Sequence, residues 1–118
     1  MEWNFRNDLP IYSQLIDQIR VAIVSGDFPP GTRLNSVRDM AAEAGVNPNT
    51  LQRALQELER QGLVYSQRTS GRFVTEDTHV IDENKKALAQ GQLAAFLDAM
   101  KKLGYERAEI IALLEEEA

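Results

Sequence analysis

Apolar residues in the first half of the chain recur at the spacing of three amphipathic helices. Residues 11–24, 37–44 and 48–61 each place apolar side chains three or four positions apart, which is the period of a helix with one buried face. Pro30 and Gly31 lie between the first two segments and predict a reversal of the chain there. The pattern therefore predicts a core built from three short helices.

The ends of the second and third helices carry residues with specific roles at helix boundaries. Ser36 is placed to cap the second helix, and Gly45 is a suitable C-terminal stop. Asn47 is placed to cap the third helix, and Pro48 occupies its first position, where a missing N–H costs nothing. Two helices separated by such a short turn containing glycine predict a helix-turn-helix.

The third helix has two chemically different faces. The apolar face, which we expect to be buried, consists of Leu51, Ala54, Leu55 and Leu58. The opposite face carries amide and guanidinium side chains, at Asn49, Gln52, Arg53, Gln56 and Arg60. Such side chains make paired hydrogen bonds with adenine and guanine edges in the major groove of DNA. A solvated helix face has a similar composition, so this helix alone leaves both interpretations open.

Residues 63–76 predict a β-hairpin directly after the third helix, because two short strands with apolar residues flank a small polar turn. A helix-turn-helix followed by a hairpin is a winged helix, which favours the DNA-recognition interpretation of the third helix. The small basic tip suits contact with phosphates or a minor groove, although its two Arg side chains could instead pair with acids. The tip and its flanks are Arg68, Thr69, Ser70, Gly71 and Arg72.

The last forty or so residues predict two further helices with broad apolar faces, one over residues 82–103 and one from Gly104 onward. Two helices alone bury too little apolar surface to be stable in water, so their apolar faces need a partner: the winged-helix core, another copy of the chain, or both. A symmetric homodimer is the simplest solution. The predicted dimerisation residues are Leu88, Leu93, Phe96, Leu97, Met100, Leu103, Ile110 and Leu114.

These elements predict a mostly α fold class with a small β-hairpin: a winged helix-turn-helix domain at residues 1–76, followed by a short two-helix dimerisation module at residues 77–118. The net charge of −5 argues at first against a nucleic-acid partner. The negative charge is concentrated in the module, which has nine acidic and five basic residues, whereas residues 33–72 have six Arg and four acids. A locally positive surface is therefore possible.

The composition argues against enzymatic, metal-binding and membrane functions. The chain has no Cys, and His79 is its one histidine, so we predict no metal site, no cofactor and no nucleophile-base pair. No apolar run approaches the roughly 20 residues of a membrane span, which predicts a cytoplasmic protein without a membrane partner. A winged helix that binds another protein is the alternative. Because the polar face of the third helix has no aromatic or apolar anchors, we favour DNA.

The sequence resembles a known family over essentially its whole length. The segment PIYSQLIDQIRVAIVSGDFPPGTRL, followed by NSVRDMAAEAGVNPNTLQRALQELERQGLVYSQRTSGRFV, resembles the winged-helix domain of the GntR family of bacterial transcription regulators. VNPNT and the two-helix tail resemble its YtrA subfamily. The resemblance implies a homodimeric cytoplasmic repressor that binds a short palindromic operator. Two positions depart from the family pattern, since Asn35 replaces a usual Pro and Thr69 replaces a usual Gly.

The family contacts DNA with the second-helix Arg, the first turn of the recognition helix and the wing tip. Together with the polar face described above, this resemblance leads us to expect one DNA-binding surface and a dimer that sets two recognition helices roughly 34 Å apart. An effector, if one acts, would sit at the dimer interface or between the tail and the winged helix. The predicted DNA-binding residues are Ser36, Arg38, Asn47, Asn49, Thr50, Gln52, Arg53, Gln56, Arg68, Thr69, Ser70, Gly71 and Arg72.

Overall fold

The fold was analysed in a computed structural model, which describes residues 1–117 as five helices and one hairpin. The mostly α architecture with a small β-hairpin agrees with the predicted fold class. Residue contacts divide the chain into two compact units, unit 1 at Met1–Lys85 and unit 2 at Lys86–Ala118. The elements are α1 (Ile11–Ser25), α2 (Val37–Ala44), α3 (Pro48–Arg60), β1 (Val64–Gln67), β2 (Gly71–Val74), α4 (Thr78–Lys102) and α5 (Arg107–Glu117).

Unit 1 has a continuous apolar core around α3. The predicted apolar stripe of this helix is buried completely, with Leu51, Ala54 and Leu58 at 0% exposure. In α2, Met40 and Ala41 are buried, whereas Val37 and Ala44 remain partly exposed. The side chains that fill the core from the other elements include Leu15, Ile19, Ile23, Leu34, Met40, Ala41, Leu63, Val64, Val74 and Ile81.

Side-chain caps define the turn between α2 and α3. Ser36 Oγ accepts a hydrogen bond of 3.1 Å from the backbone N–H of Asp39, and Asn47 Oδ1 accepts one of 2.8 Å from the N–H of Asn49. Gly45 has a φ of 71°, a left-handed conformation that costs glycine little. These local interactions confirm the predicted helix boundaries and orient α3 relative to α2.

The wing is a hairpin with a third strand-like segment beside it. In the antiparallel pairing of β1 with β2, Val64 lies opposite Val74. The other edge of β2 bonds to the loop before α2: Leu34 N–H donates to the carbonyl of Arg72 at 2.9 Å, and Val74 N–H donates to the carbonyl of Thr32 at 2.8 Å. The wing is therefore attached directly to the segment that leads into α2.

The helix α4 starts earlier than the predicted residue 82. Its first helical residue is Thr78, because the carboxylate of Asp77 accepts hydrogen bonds from the N–H groups of His79 and Val80, at 3.0 and 3.4 Å. An aspartate in this position satisfies the free N–H groups of a first helical turn. The early start brings Ile81 into the core of unit 1.

An N-terminal arm of residues 1–9 lies along α1. The Gln14 amide accepts a hydrogen bond of 2.7 Å from the N–H of Arg6 and donates one of 2.9 Å to its carbonyl. One turn later, Gln18 makes the same pair of bonds with the backbone of Asn4, at 3.2 and 2.8 Å. The two glutamines therefore satisfy the arm's backbone polar groups where no strand partner is available.

Unit 2 consists of the rest of α4 and α5, with Ile110 as its buried apolar residue. Several other apolar side chains of this unit are exposed, including Phe96 at 41% and Leu103 at 73%. An apolar groove of about 290 Å³ lies within it, and Lys101 and Arg107 contribute its charged edges. The apolar lining residues are Leu93, Phe96, Leu97, Ile110, Ile111 and Leu114. Among residues 1–117, none of the helices combines the length and apolar composition that a bilayer crossing requires.

Candidate nucleic-acid interface

The polar face of α3 is the centre of the candidate interface. Asn49, Arg53 and Gln56 are exposed, whereas Thr50 and Gln52 are partly buried. None of the five belongs to the buried stripe of the helix, which consists of Leu51, Ala54, Leu55 and Leu58. The helix axis is held by burial of that stripe, so the polar side chains are presented from a rigid element.

The Arg53 side chain rests on an aromatic ring. Its guanidinium carbon lies 4.8 Å from the centre of the Tyr12 ring on α1, a distance at which a cation is attracted to a π-system. The contact leaves the guanidinium N–H groups without an acidic partner among the described residues. Tyr12 therefore restricts the rotamers of Arg53 and leaves its donors available for a base edge or a phosphate.

A polar groove of about 350 Å³ separates the start of α2 from the wing. Ser36 and Arg68 line it from opposite sides, together with Arg33. Arg33 is not among the residues predicted from the sequence, because its place beside the wing follows from the pairing of its loop with β2. The other residues along the groove are Leu34, Asn35, Val37, Ser66, Gln67, Gly71 and Arg72.

Gly71 is required at the wing by its backbone conformation and by its neighbour. Its φ of +104° is one that L side chains rarely adopt. A Cβ atom at this position would also lie 3.2 Å from Nε of Arg33. The glycine therefore permits a close approach between the loop before α2 and the start of β2, while the preceding Thr69 and Ser70 remain exposed at the tip.

The arginines of unit 1 fall into two groups. Four have a carboxylate oxygen within 4.0 Å: Arg6, Arg20, Arg60 and Arg72. The other four have no such partner among residues 1–117: Arg33, Arg38, Arg53 and Arg68. All four unpaired arginines come from α2, α3, the wing or the loop that pairs with it. These segments of unit 1 therefore carry positive charge that no acid among residues 1–117 neutralises locally.

The C-terminal end of α3 is neutralised within the helix. Arg60 forms a bidentate ion pair with Glu57, with a hydrogen bond of 2.7 Å from Nε to Oε2. Hydrogen bonds from Arg60, and then from Gln61, lower the pKa of Glu57 from its ordinary 4.5 to about 2. The same pair raises the pKa of Arg60. Uncompensated donors are thus concentrated in the first turns of α3, where a recognition helix enters the major groove.

Four of the predicted DNA-binding side chains already make hydrogen bonds within the protein: Ser36, Asn47, Gln52 and Arg72. The Asn47 side chain caps α3. The Arg72 side chain is only 16% exposed and lies against α3, where it contacts Gln52 and Glu59. By contrast, Arg38 on α2 and Arg68 beside the wing tip are exposed. The two Arg residues that flank the tip therefore differ in their surroundings: Arg68 is exposed, whereas Arg72 lies against α3.

The described residues contain no cluster of three His, Cys, Asp or Glu side chains that could hold a metal ion. His79 lies at the start of α4, and its Nε2 is 2.9 Å from a carboxylate oxygen of Glu83 on the next turn. This contact gives the histidine a local partner on the same helix.

Comparison with known proteins identifies the family. The model for "Bacterial regulatory proteins, gntR family" matches residues 11–74. The transcriptional regulator YhcF of Bacillus subtilis is 40% identical over 94% of this chain and 92% of its own length. The transcriptional repressor YtrA of Bacillus subtilis is 34% identical over 83% of this chain and 71% of its own.

Solved structures show the same fold. A GntR family transcriptional regulator from Listeria monocytogenes superposes with a TM-score of 0.88 at 37% identity, covering 95% of this chain and 98% of that one. AraR(DBD) in complex with operator ORX1 superposes with a TM-score of 0.57 at 29% identity, covering 64% of this chain and 96% of that one. These matches confirm the predicted fold class and the non-enzymatic, DNA-binding function. The chain belongs to the GntR family of bacterial regulatory proteins and is a DNA-binding transcriptional regulator.

Proposed function

We propose that the protein is a homodimeric repressor that acts in the cytoplasm and binds an inverted-repeat operator through α3 and the wing. The observation that carries this proposal is a set of four arginines without an acidic partner among residues 1–117, in the loop before α2, on α2, on α3 and beside the wing tip. Phosphate binding requires positive charge that is not already neutralised by the protein's own acids.

The side chains divide by position into base readers and phosphate contacts. Asn49, Gln52, Arg53 and Gln56 lie on the polar face of α3 and would meet base edges in the major groove. Arg38, Arg68 and the added residue Arg33 would contact phosphates on either side. Polar groups would also face the DNA backbone at the start of α2, at Ser36, and in the first turn of α3, at Asn47 and Thr50. The wing could approach the DNA closely because its tip consists of the small residues Thr69, Ser70 and Gly71.

The dimer would form through unit 2. Leu93, Phe96 and Leu114 line an apolar groove and are between 41 and 55% exposed, an unfavourable arrangement for a chain alone in water. A second copy would cover these faces, and Leu88, Leu97, Met100, Leu103 and Ile110 would complete the interface. Two-fold symmetry would then place two α3 helices about one DNA turn, roughly 34 Å, apart.

Repression is proposed because the relative YtrA carries the name of a repressor. A dimer that blocks a promoter needs a signal for release. The groove of unit 2, about 290 Å³ in volume, is close to the size of small-ligand sites, so a dimer closed over it would provide an interface site for an effector. An effector bound there would act on the separation of the two recognition helices.

Selection of bound duplexes from random DNA, followed by a salt titration on the selected site, tests the proposal. We expect enrichment of an inverted repeat. If Arg33, Arg38 and Arg68 of both protomers each neutralise one phosphate, the slope of log affinity against log salt should be about −5. Enrichment of a single half-site would contradict the dimer, and binding without any sequence preference would contradict base reading by α3.

A further inference from the structure

Arg72 connects the wing to the recognition helix. Its Nη1 donates a hydrogen bond of 3.1 Å to Oε1 of Gln52, and its Nε lies 3.7 Å from Oε1 of Glu59. Ser66 Oγ on β1 donates a hydrogen bond of 2.5 Å to the same Glu59 oxygen. We name these four side chains, Gln52, Glu59, Ser66 and Arg72, the wing strut, because they join both strands of the hairpin to α3.

The wing strut determines which end of the Gln52 amide is available. A guanidinium can only donate hydrogen bonds, so the Gln52 atom that faces Arg72 has to be the carbonyl oxygen. The amide nitrogen Nε2 has no hydrogen-bond partner in the part of the chain that the structure describes. The orientation of the amide is therefore set by chemistry, with its acceptor directed to the wing and its two donors unused.

We propose that Arg72 is a positioning residue that sets the base preference of Gln52, and that Glu59 holds Arg72 in place for this purpose. The inference rests on the proposed function, in which Gln52 reads a base. An amide that presents only its NH₂ group favours a base edge rich in acceptors, and guanine offers N7 and O6 in the major groove. The bidentate pair of Gln with adenine uses both ends of the amide, so it is disfavoured while Arg72 occupies the oxygen.

The position of Arg72 argues against an ordinary phosphate contact. Its side chain is 16% exposed, and its charge is paired with Glu59. Its Nη1 is used in the hydrogen bond to Gln52, and its Nε is buried and faces Glu59. Arg68 on the same hairpin is exposed and unpaired, so it provides a matched comparison of the two roles on one wing.

The wing strut can be tested in the free protein, without DNA. Arg72→Met removes the charge and keeps much of the bulk, and Glu59→Gln removes the opposite charge. In a double-mutant cycle, we expect the melting temperature of the double variant to fall clearly less than the sum of the two single shifts, because both changes break one interaction. Additive shifts would overturn the coupling of Arg72 to Glu59.

Base preference is then measured by selection and by binding to single-base variants of the operator. Gln52→Ala identifies the position that Gln52 reads. At that position, Arg72→Met should raise the affinity for adenine relative to guanine by about 10-fold, the scale of one good side-chain pair with a base. The salt slope should stay unchanged, and Glu59→Gln should shift the preference in the same direction. Circular dichroism verifies that each variant is folded.

The control is Arg68→Met, which should weaken binding to all duplexes alike and make the salt slope less steep by about 1 per protomer. If Arg72→Met behaves like this control, Arg72 is a phosphate contact and the proposal is overturned. An unchanged base preference in Arg72→Met also overturns it. Absence of any selected sequence for the unmodified protein contradicts the proposed function instead, and the cycle in the free protein then still decides whether the wing strut exists.

Discussion

The two compact units leave opposite kinds of surface without a partner. Unit 1 contains a large buried apolar core, with Leu15, Leu51 and Leu63 at 0% exposure, and four of its arginines have no acidic partner among residues 1–117. Unit 2 buries Ile110 but leaves apolar side chains such as Leu103 largely exposed. An unpaired cation favours a phosphate, whereas an exposed apolar face favours another apolar face. The two units therefore suit different partners: DNA for unit 1 and, in the proposed dimer, a second copy for unit 2.

The core of unit 1 is where we expect the largest effect of a single substitution. Leu51→Ala removes a fully buried side chain and should lower the free energy of unfolding by about 2 to 5 kcal/mol, because the cavity cannot collapse completely. Leu9→Ala is a matched control at a position that is 45% exposed, and it should change stability by less than about 0.5 kcal/mol. Urea unfolding measures both. Equal losses would contradict the description of unit 1 as a closed core.

A charge introduced into the apolar face of unit 2 should weaken the proposed dimer. Phe96→Glu places a carboxylate beside the apolar groove and should weaken the dimer by about 2 kcal/mol or more, roughly 30-fold in dissociation constant. Gln92→Glu, on an exposed position of the same helix, controls for added charge alone. Sedimentation equilibrium over a range of concentrations measures the change. An unchanged dissociation constant in Phe96→Glu would contradict the proposal that the dimer forms through unit 2.

Loss of an unpaired arginine from unit 1 should lower the affinity for DNA. Arg53→Ala should cost about 1 to 3 kcal/mol on the selected operator and relax the preference at one position. Arg60→Ala, on the same helix but paired with Glu57, should cost much less. Titration of labelled duplexes measures both losses. If Arg53→Ala weakens every sequence to the same extent, Arg53 contacts a phosphate rather than a base.

The N-terminal cap of α2 should contribute a smaller amount to the free energy of unfolding. Ser36→Ala removes the acceptor for the Asp39 N–H and should lower stability by about 1 kcal/mol. Ser70→Ala at the exposed wing tip should leave the free energy of unfolding within about 0.5 kcal/mol of the original value. Chemical unfolding of both variants decides whether the cap stabilises unit 1.

The smallest expected effect is a dependence of stability on acid. Because the folded-state pKa of Glu57 is lowered from 4.5 to about 2, its pairing with Arg60 stabilises the protein fully above pH 4.5 and is lost as the pH falls toward 2. The melting temperature of Glu57→Gln should therefore lie slightly below that of the original protein at pH 6, and the difference should shrink on acidification. A difference that persists at pH 2 would show that it arises from packing rather than from the charge.

Local features of the sequence were sufficient to predict most of the fold. The caps at Ser36 and Asn47, the stop at Gly45 and the buried stripe of α3 are found where the residues predicted them. The caps and the stop depend on interactions within a few residues, and the stripe is visible in the sequence as apolar residues at helical spacing. The start of α4 was predicted too late because the capping capacity of Asp77 was not considered, although that signal is also local.

The chemistry of each face is already present in the amino-acid sequence: an apolar stripe and a stripe of amides and arginines on α3, and apolar faces in the tail. Which arginines remain unpaired depends on how the elements pack in three dimensions. Arg72 and Gln52 are 20 positions apart along the chain, and their contact exists only because the hairpin folds back onto α3. Pairing through space depends on the positions of whole elements, and no local pattern contains those positions. Two arginines that flank the same wing tip therefore acquire different surroundings, Arg68 in solvent and Arg72 against the recognition helix.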